Sequence, residues 1–276
     1  MQQLKICFLG TGSMGSAVLQ GLVAAGHQTK LISATTRSEE SAAKLRAAGI
    51  SALSLESSSD ANELLSSDAD VVVLGVKPYQ IADVLTEIRS ELPKDAVVIS
   101  MAAGIELAKM AEKLPEHNNL IRSMPNTPAL VGRGVTGLAA APQAAPDAIE
   151  IATWLFEAVG EVVEVAENQI NALSAISGSG PAWIYFLVEK WEQVAIANGF
   201  TAEQAATMVR GTLAGSAQLL ASTGEEPAEL RRKVTSPGGT TERIIATLEE
   251  AKLEQLFEAA LQAAVARAKE IAGGKG

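Results

Sequence analysis

Gly10-Thr11-Gly12-Ser13-Met14-Gly15 fits the pattern G-x-G-x-x-G. It lies directly after an apolar β-type run at 5–9 and before a helical pattern at 17–25. In that setting the first glycine permits a tight turn and the second lets backbone N–H groups approach a pyrophosphate. The third packs helix on strand. The anion would sit on the positive end of the helix. The competing reading is a tight turn with no ligand. The next strand-like segment, 29–33, runs into Ser33-Ala34-Thr35-Thr36-Arg37-Ser38. NAD-binding sheets usually place an Asp or Glu there, for the ribose 2′-hydroxyl. Arg37 can instead pair bidentately with a 2′-phosphate, so NADP(H) is favoured, with NAD(H) as the alternative. A solvated loop arginine is the plainer reading.

Three further stretches end apolar runs. Val76-Lys77-Pro78 closes the run at 71–76, where Lys77 either supports a cofactor or is an exposed turn lysine. Met101-Ala102-Ala103-Gly104 follows 96–100, with side chains small enough for a flat ring or ribose to lie close. Met124-Pro125-Asn126-Thr127-Pro128 follows 119–122; two prolines stiffen it, and Asn126 can offer an amide to a ligand. Open α/β sheets bind ligands beyond the carboxyl ends of their strands, so the three stretches mark one candidate site. Val234-Thr235-Ser236-Pro237-Gly238-Gly239-Thr240-Thr241 lies far from them in sequence, before a helix expected from about residue 242. Its hydroxyls and glycines either cradle a small anion such as a carboxylate or form an ordinary Thr N-cap.

The elements that must position these residues come in two blocks. Residues 1–165 alternate β-branched runs (5–9, 29–33, 71–76, 96–100 and 119–122, with weaker ones at 135–139 and 162–165) with helical stretches that end on glycine, such as 17–25 and 39–48. Val71-Val72-Val73-Leu74 is apolar without alternation, as in a strand covered on both faces. This predicts an α/β Rossmann domain with a doubly wound, mostly parallel sheet. Over 166–276 the β signal disappears. Ser179-Gly180-Pro181 opens a helix that Asn198-Gly199 closes, and Thr201-Ala202-Glu203-Gln204 has capping-box spacing. Leu253, Leu256, Phe257, Ala260, Leu261, Ala264, Val265 and Ala268 form one stripe of a last helix. Trp183-Ile184-Tyr185-Phe186-Leu187-Val188 is apolar all round, more than a small bundle can cover. An all-α domain that dimerises with a second copy is therefore expected.

Composition narrows the function. The 276 residues carry a formal charge of −10, from 22 Lys+Arg against 32 Asp+Glu, which disfavours nucleic acid or an anionic membrane as partner. A single cysteine, Cys7, forms no internal disulfide, and with two histidines no Cys/His zinc site can be assembled. No apolar run approaches the ~18 residues of a membrane span, and the early strand leaves no room for a signal peptide, so a cytoplasmic location is expected. Cys7 is expected in a buried strand, the tryptophans in the core, and His27 and His117 on the surface.

The combination of Gly10–Gly15, Val76-Lys77-Pro78, Met124-Pro125-Asn126-Thr127-Pro128, Ser177-Gly178-Ser179-Gly180-Pro181-Ala182 and the loop at 234–241 resembles pyrroline-5-carboxylate reductase over essentially the whole chain. The loop is the most specific of these motifs and the glycine turn the least. The resemblance implies reduction of the cyclic imine 1-pyrroline-5-carboxylate to L-proline with NAD(P)H, the last step of proline biosynthesis. It also implies an interlaced homodimer or a larger assembly of dimers. On the same ground Gly10, Thr11, Gly12, Ser13, Met14 and Gly15 would hold the pyrophosphate, and Thr35, Arg37 and Asn62 the adenosine end. Val76, Lys77, Pro78, Ala102 and Ala103 would line the ribose and nicotinamide. Ser236, Gly239, Thr240 and Thr241 would bind substrate, with Thr241 nearest the imine as the catalytic hydrogen-bond donor; Asn126 is a further candidate contact. Ile244 departs from the Ala or Gly usual at its position. A β-hydroxyacid dehydrogenase is the nearest rival, but the catalytic lysine expected early in the long helix is missing, since Ile184 follows Trp183. A non-catalytic NADP(H) sensor is another alternative, and would need no substrate cradle.

Overall fold

The computed structural model describes residue 1 and residues 3–272. The order of elements is β1 (Ile6–Leu9), α1 (Ser13–Ala24), β2 (Ile32–Thr36), α2 (Glu39–Ala47), β3 (Ser51–Ser54), α3 (Ala61–Ser66), β4 (Val71–Leu74), α4 (Ile81–Ile88), β5 (Val97–Ser100), α5 (Leu107–Lys113), β6 (Leu120–Met124), β7 (Gly134–Ala140), α6 (Pro146–Glu157) and β8 (Gly160–Glu164). Then come α7 (Ile170–Leu173), a π-helical turn at Ser174–Gly178, α8 (Gly180–Ala197), α9 (Ala202–Thr223), α10 (Pro227–Lys233), α11 (Thr240–Glu250) and α12 (Leu253–Ala272). The chain divides into two compact units, one holding Met1–Ser179 and the chain from Ala264 on, the other Gly180–Ala263.

The strands form one sheet in the order β3-β2-β1-β4-β5-β6-β7-β8. β1 to β6 pair in parallel, β7 runs antiparallel to β6, and β8 is parallel to β7. The order reverses between β1 and β4, so the crevice for a ligand lies past their carboxyl ends. Alternate residues of each strand feed two core layers. Ile6 and Phe8 pack with Leu19 and Leu22 of α1 and Phe156 of α6; Cys7 and Leu9 pack with Leu85 and Ile88 of α4 and Met110 of α5. Each such buried Leu, Ile or Phe stabilises the sheet by about 1.5–3 kcal/mol, which holds the strand ends rigid.

Several expectations shift. β2 begins three residues later than the expected 29–33, because Thr29–Leu31 forms a 3-10 turn and the polar Thr35 and Thr36 are buried in the strand. β3 was not expected at all. Its Ser-Ala-Leu-Ser stretch has no β-branched residue, and pairing with β2 holds it in place. His27 and His117 are buried, not on the surface: their Nε2 atoms lie 3.0 Å from the Leu4 carbonyl and 3.4 Å from the Leu92 carbonyl. Burial holds the His27 imidazole below its ordinary pKa, and the ring meets Trp154 edge-on at 5.5 Å. Cys7 is buried as expected, which pushes its thiol up to about 12.

In the second unit Thr201 caps α9 by the expected capping box, and Gly224 ends it in a left-handed conformation. α8 and α9 pack together through the buried Ala205 and Val209, and the Arg210 Nε donates to Glu192 at 2.7 Å. The expected tryptophan core is not found here: Trp183 is half-buried, stacked on Phe257 with centroids 5.5 Å apart, and Trp191 is exposed. Ile184, Tyr185, Phe186 and Leu187 are exposed beside it. Among the described residues the Phe186 ring is met by the Lys190 ammonium at 5.2 Å, and the stretch otherwise stays open. Among the described residues no helix is long and apolar enough to cross a membrane.

Candidate active site

The glycine turn is built by close approach. Gly10 has φ of +85°, which an L side chain rarely adopts, and a Cβ there would lie 2.7 Å from Val76 Cγ1. Its carbonyl oxygen in turn fills the space beside Gly75, where a Cβ would come within 2.1 Å, and also the space beside Gly15. The β1 and β4 turns thus share one volume that no side chain can enter. Gly75 was not among the expected site residues, since it reads as one apolar step of the run at 71–76. Gly12 is the N-cap of α1 and has no side chain to satisfy the free N–H groups of the first turn. The space above it is open, its nearest neighbour being the Gly75 carbonyl at 4.0 Å. Thr11, Ser13 and Met14 complete the turn.

The expected adenosine end separates into different tasks. Thr35 is buried; its hydroxyl accepts from the Gly10 N–H at 3.1 Å, and its carbonyl accepts from Thr11 Oγ1 at 3.4 Å. It therefore shapes the turn. Asn62 is buried on α3 and donates to Glu87 Oε2 at 3.0 Å, while its Oδ1 has no partner in the structure. An orphaned acceptor of this kind fits a ligand hydroxyl or amine. Arg37 is exposed at the β2 tip and makes no ion pair among the described residues. The first acid after it, Glu39, is tied up elsewhere: its carboxylate accepts from Arg46, from Ser54 Oγ at 2.8 Å and from Ser57 Oγ at 3.1 Å. Arg46 holds that carboxyl below the usual carboxylate range.

At the β4 end Val76 is half-buried, Pro78 follows in a 3-10 turn, and Lys77 is exposed with its ammonium unpaired among the described residues. Past β5, Ala102 is buried and Ala103 exposed, with the Ala102 N–H donating to Ser100 Oγ at 3.2 Å. Ser123 of β6 donates to the Ser100 carbonyl at 2.9 Å, locking the β5 and β6 ends together. Neither serine stood out in the sequence. Asn126 is buried and spends its side chain internally: Nδ2 donates to the Ser177 carbonyl at 2.9 Å, and Oδ1 accepts from the Val135 N–H at 2.8 Å.

In the second unit, α11 starts at Thr240, two residues before the expected position, so Gly239 and not a threonine is the N-cap. Gly238 turns through φ of +73°, and its N–H donates to Glu242 Oε2 at 2.9 Å. Gly239 donates back to the Ser236 carbonyl at 3.0 Å, closing the loop. The hydroxyls of Ser236, Thr240 and Thr241 make no hydrogen bond among the described residues, and Ser236 and Thr240 are exposed. A helix N-terminus with three free hydroxyls has the donors that a small anion requires. Ile244 is exposed on α11, outside the loop's own hydrogen bonds. Among the described residues no group of three or more His, Cys, Asp or Glu could hold a metal ion.

Comparison with known proteins places both parts. Residues 167–271 match the family model for pyrroline-5-carboxylate reductase dimerisation, and residues 5–104 match one described as NADP oxidoreductase, coenzyme F420-dependent. A pyrroline-5-carboxylate reductase of Methanosarcina acetivorans is 36% identical over 272 residues, covering 98% of this chain and 99% of the relative. The chain belongs to the pyrroline-5-carboxylate reductase family. Among solved structures, the pyrroline-5-carboxylate reductase of Coxiella burnetii superposes with a TM-score of 0.91 at 37% identity, covering 97% of this chain and 98% of that one. The Plasmodium falciparum pyrroline carboxylate reductase, solved with NADP bound, gives 0.81 at 26% identity and covers 99% of both. As a pyrroline-5-carboxylate reductase family member, the chain is an oxidoreductase with a Rossmann-type sheet and a helical region of the dimerisation type.

Proposed function

We propose that the protein reduces 1-pyrroline-5-carboxylate to L-proline with NADPH, as a homodimer in the cytoplasm. The observation that carries this reading is the near-full-length kinship to pyrroline-5-carboxylate reductases. The site chemistry supports it. The open side of Gly12 and the first N–H groups of α1 suit a pyrophosphate, the Asn62 Oδ1 suits a ribose or adenine donor, and Arg37 suits a 2′-phosphate. Bound NADPH would supply the hydride. The loop at 236–241 then holds the imine's carboxylate through the Ser236 and Thr240 hydroxyls and the N–H groups that open α11. The nitrogen carries its proton from the start in the iminium form, or takes one from solvent, and Thr241 donates to the lone pair that develops on it as the hydride adds to carbon. Orientation and a few dipoles suffice, and neither a carboxylate dyad nor a catalytic histidine is needed.

The direct test follows NADPH oxidation with 1-pyrroline-5-carboxylate beside a panel of 3-oxo acids, and NADP+ reduction with the corresponding 3-hydroxy acids. Turnover of the imine alone is expected; turnover of the acids alone would move the chain to the hydroxyacid dehydrogenases. Binding of NADPH with no turnover of any substrate would make it a sensor. Cofactor choice has its own test. Arg37→Ala should weaken NADPH by about 10–100-fold, the worth of a charge-assisted hydrogen bond, and leave NADH nearly unchanged. Equal losses for the two cofactors in a titration would remove Arg37 from the 2′-phosphate.

A further inference from the structure

We infer that Asn126 is a positioning residue, fixing the loop after β6 against the π-helical turn at Ser174–Gly178 rather than touching substrate. The inference rests on the reductase reading above. Three segments meet at this one amide, the π-helical turn lying 51 residues away in sequence. Its Oδ1 accepts from Val135 in β7, and its Nδ2 donates to Ser177 in the π-helical turn. That turn departs from ordinary helix, with the Ser179 N–H reaching back five residues to the Ser174 carbonyl at 2.8 Å. Ser177 Oγ donates to the Leu173 carbonyl at 3.1 Å, and Asn126 takes up the Ser177 carbonyl.

The contact has no slack. Met124 Cε lies only 3.2 Å from where Gly178 would carry a Cβ, so loop and turn are already packed. On the other side, the hydroxyl of Ser123, in β6 three residues before Asn126, donates to the Ser100 carbonyl, and the Ser100 hydroxyl accepts from the Ala102 N–H. A displacement at Asn126 therefore passes through two hydrogen bonds to the Ala102–Ala103 stretch proposed for the nicotinamide. Arg122, the charged side chain on β6, is committed to Glu167 at 3.5 Å and Asn171 at 3.1 Å. Catalysis by orientation is sensitive to shifts on the order of an ångström, so the loss should fall on kcat.

The test compares Asn126→Ala and Asn126→Asp with the unmutated enzyme, as activity per folded molecule scored by near-UV circular dichroism. Asn126→Ala should lower kcat by about 10–100-fold while KM for the imine changes by less than about threefold. In Asn126→Asp a protonated carboxyl reproduces the amide, its O–H donating to Ser177 and its carbonyl accepting from Val135. The ionised form instead sets an oxygen against the Ser177 oxygen. Burial and that oxygen both favour the neutral form, so the ratio of variant to unmutated kcat should fall as pH rises, by up to about tenfold per pH unit. If Asn126→Ala does not fold, this pH-dependent ratio decides alone. A raised KM with kcat preserved would overturn the inference in favour of direct substrate contact. A ratio flat with pH, or a loss that merely tracks unfolded protein, would also overturn it. An unmutated enzyme inactive on the imine would overturn the reductase reading and this inference together, a result seen before any variant is made.

Discussion

Thr241→Ala should lower turnover by on the order of 10–10³-fold while leaving NADPH affinity and the fold in place. The hydroxyl has no hydrogen bond among the described residues and Gly239 is the N-cap, so its loss should cost stability no more than about 0.5 kcal/mol. Its donation to the imine nitrogen strengthens as the hydride delivers negative charge, so the effect belongs to the transition state. Ser236→Ala should behave differently. A carboxylate is equally charged before and during transfer, so removing that contact should raise KM and spare kcat. Steady-state kinetics on both variants separates the roles. Full turnover by Thr241→Ala at saturating substrate would reduce the loop to a docking element.

The second large effect concerns assembly. Ile184, Tyr185, Phe186 and Leu187 stand exposed on α8, Tyr185 at 65% and Phe186 at 61%, within a region that matches the dimerisation model. A face of this kind is stable in water only when covered. Ile184→Glu would set an unpaired carboxylate into the expected interface of each copy, at a cost of at least about 3 kcal/mol per site. Light scattering should then find no dimer, and circular dichroism should show reduced helicity, because the helical region depends on its partner. A folded, fully active monomer of the unmutated protein would exclude this account.

Legibility in the sequence followed local physics. β1, β4 and β5 could be read because Ile6–Leu9, Val71–Leu74 and Val97–Ser100 are apolar on both faces. β2 was displaced because Thr35 and Thr36 look like loop residues until the Gly10 N–H and the Ser38 carbonyl are seen bonded to their hydroxyls. The capping box at Thr201 was visible because capping is a matter of a few consecutive residues. The bonds from Asn126 to Ser177, Ser100 to Ser123 and Asn62 to Glu87 were not, since each joins residues more than twenty positions apart. His27 and His117 were misread for the same reason: carbonyls at Leu4 and Leu92 make their burial tolerable, and no local pattern announces those contacts. Trp183 and Trp191 were misread in the opposite sense, because an apolar helix pattern does not say whether its own chain encloses it, and among the described residues α8 is left largely open.

The shared volume of Gly10 and Gly75 divides the site into a frozen part and an adaptable one. At the glycine turn the walls of the crevice are the sheet's own backbone, with a carbonyl where a side chain would go. Mutation there cannot be neutral, because it spoils the switch point of the fold along with the ligand. At the β2 tip Arg37 is exposed and without an ion-pair partner among the described residues, so exchanging it leaves the core untouched. If the proposed role of Arg37 holds, exchange at the tip should alter nucleotide preference at little cost to the fold, whereas exchange at the turn should cost both.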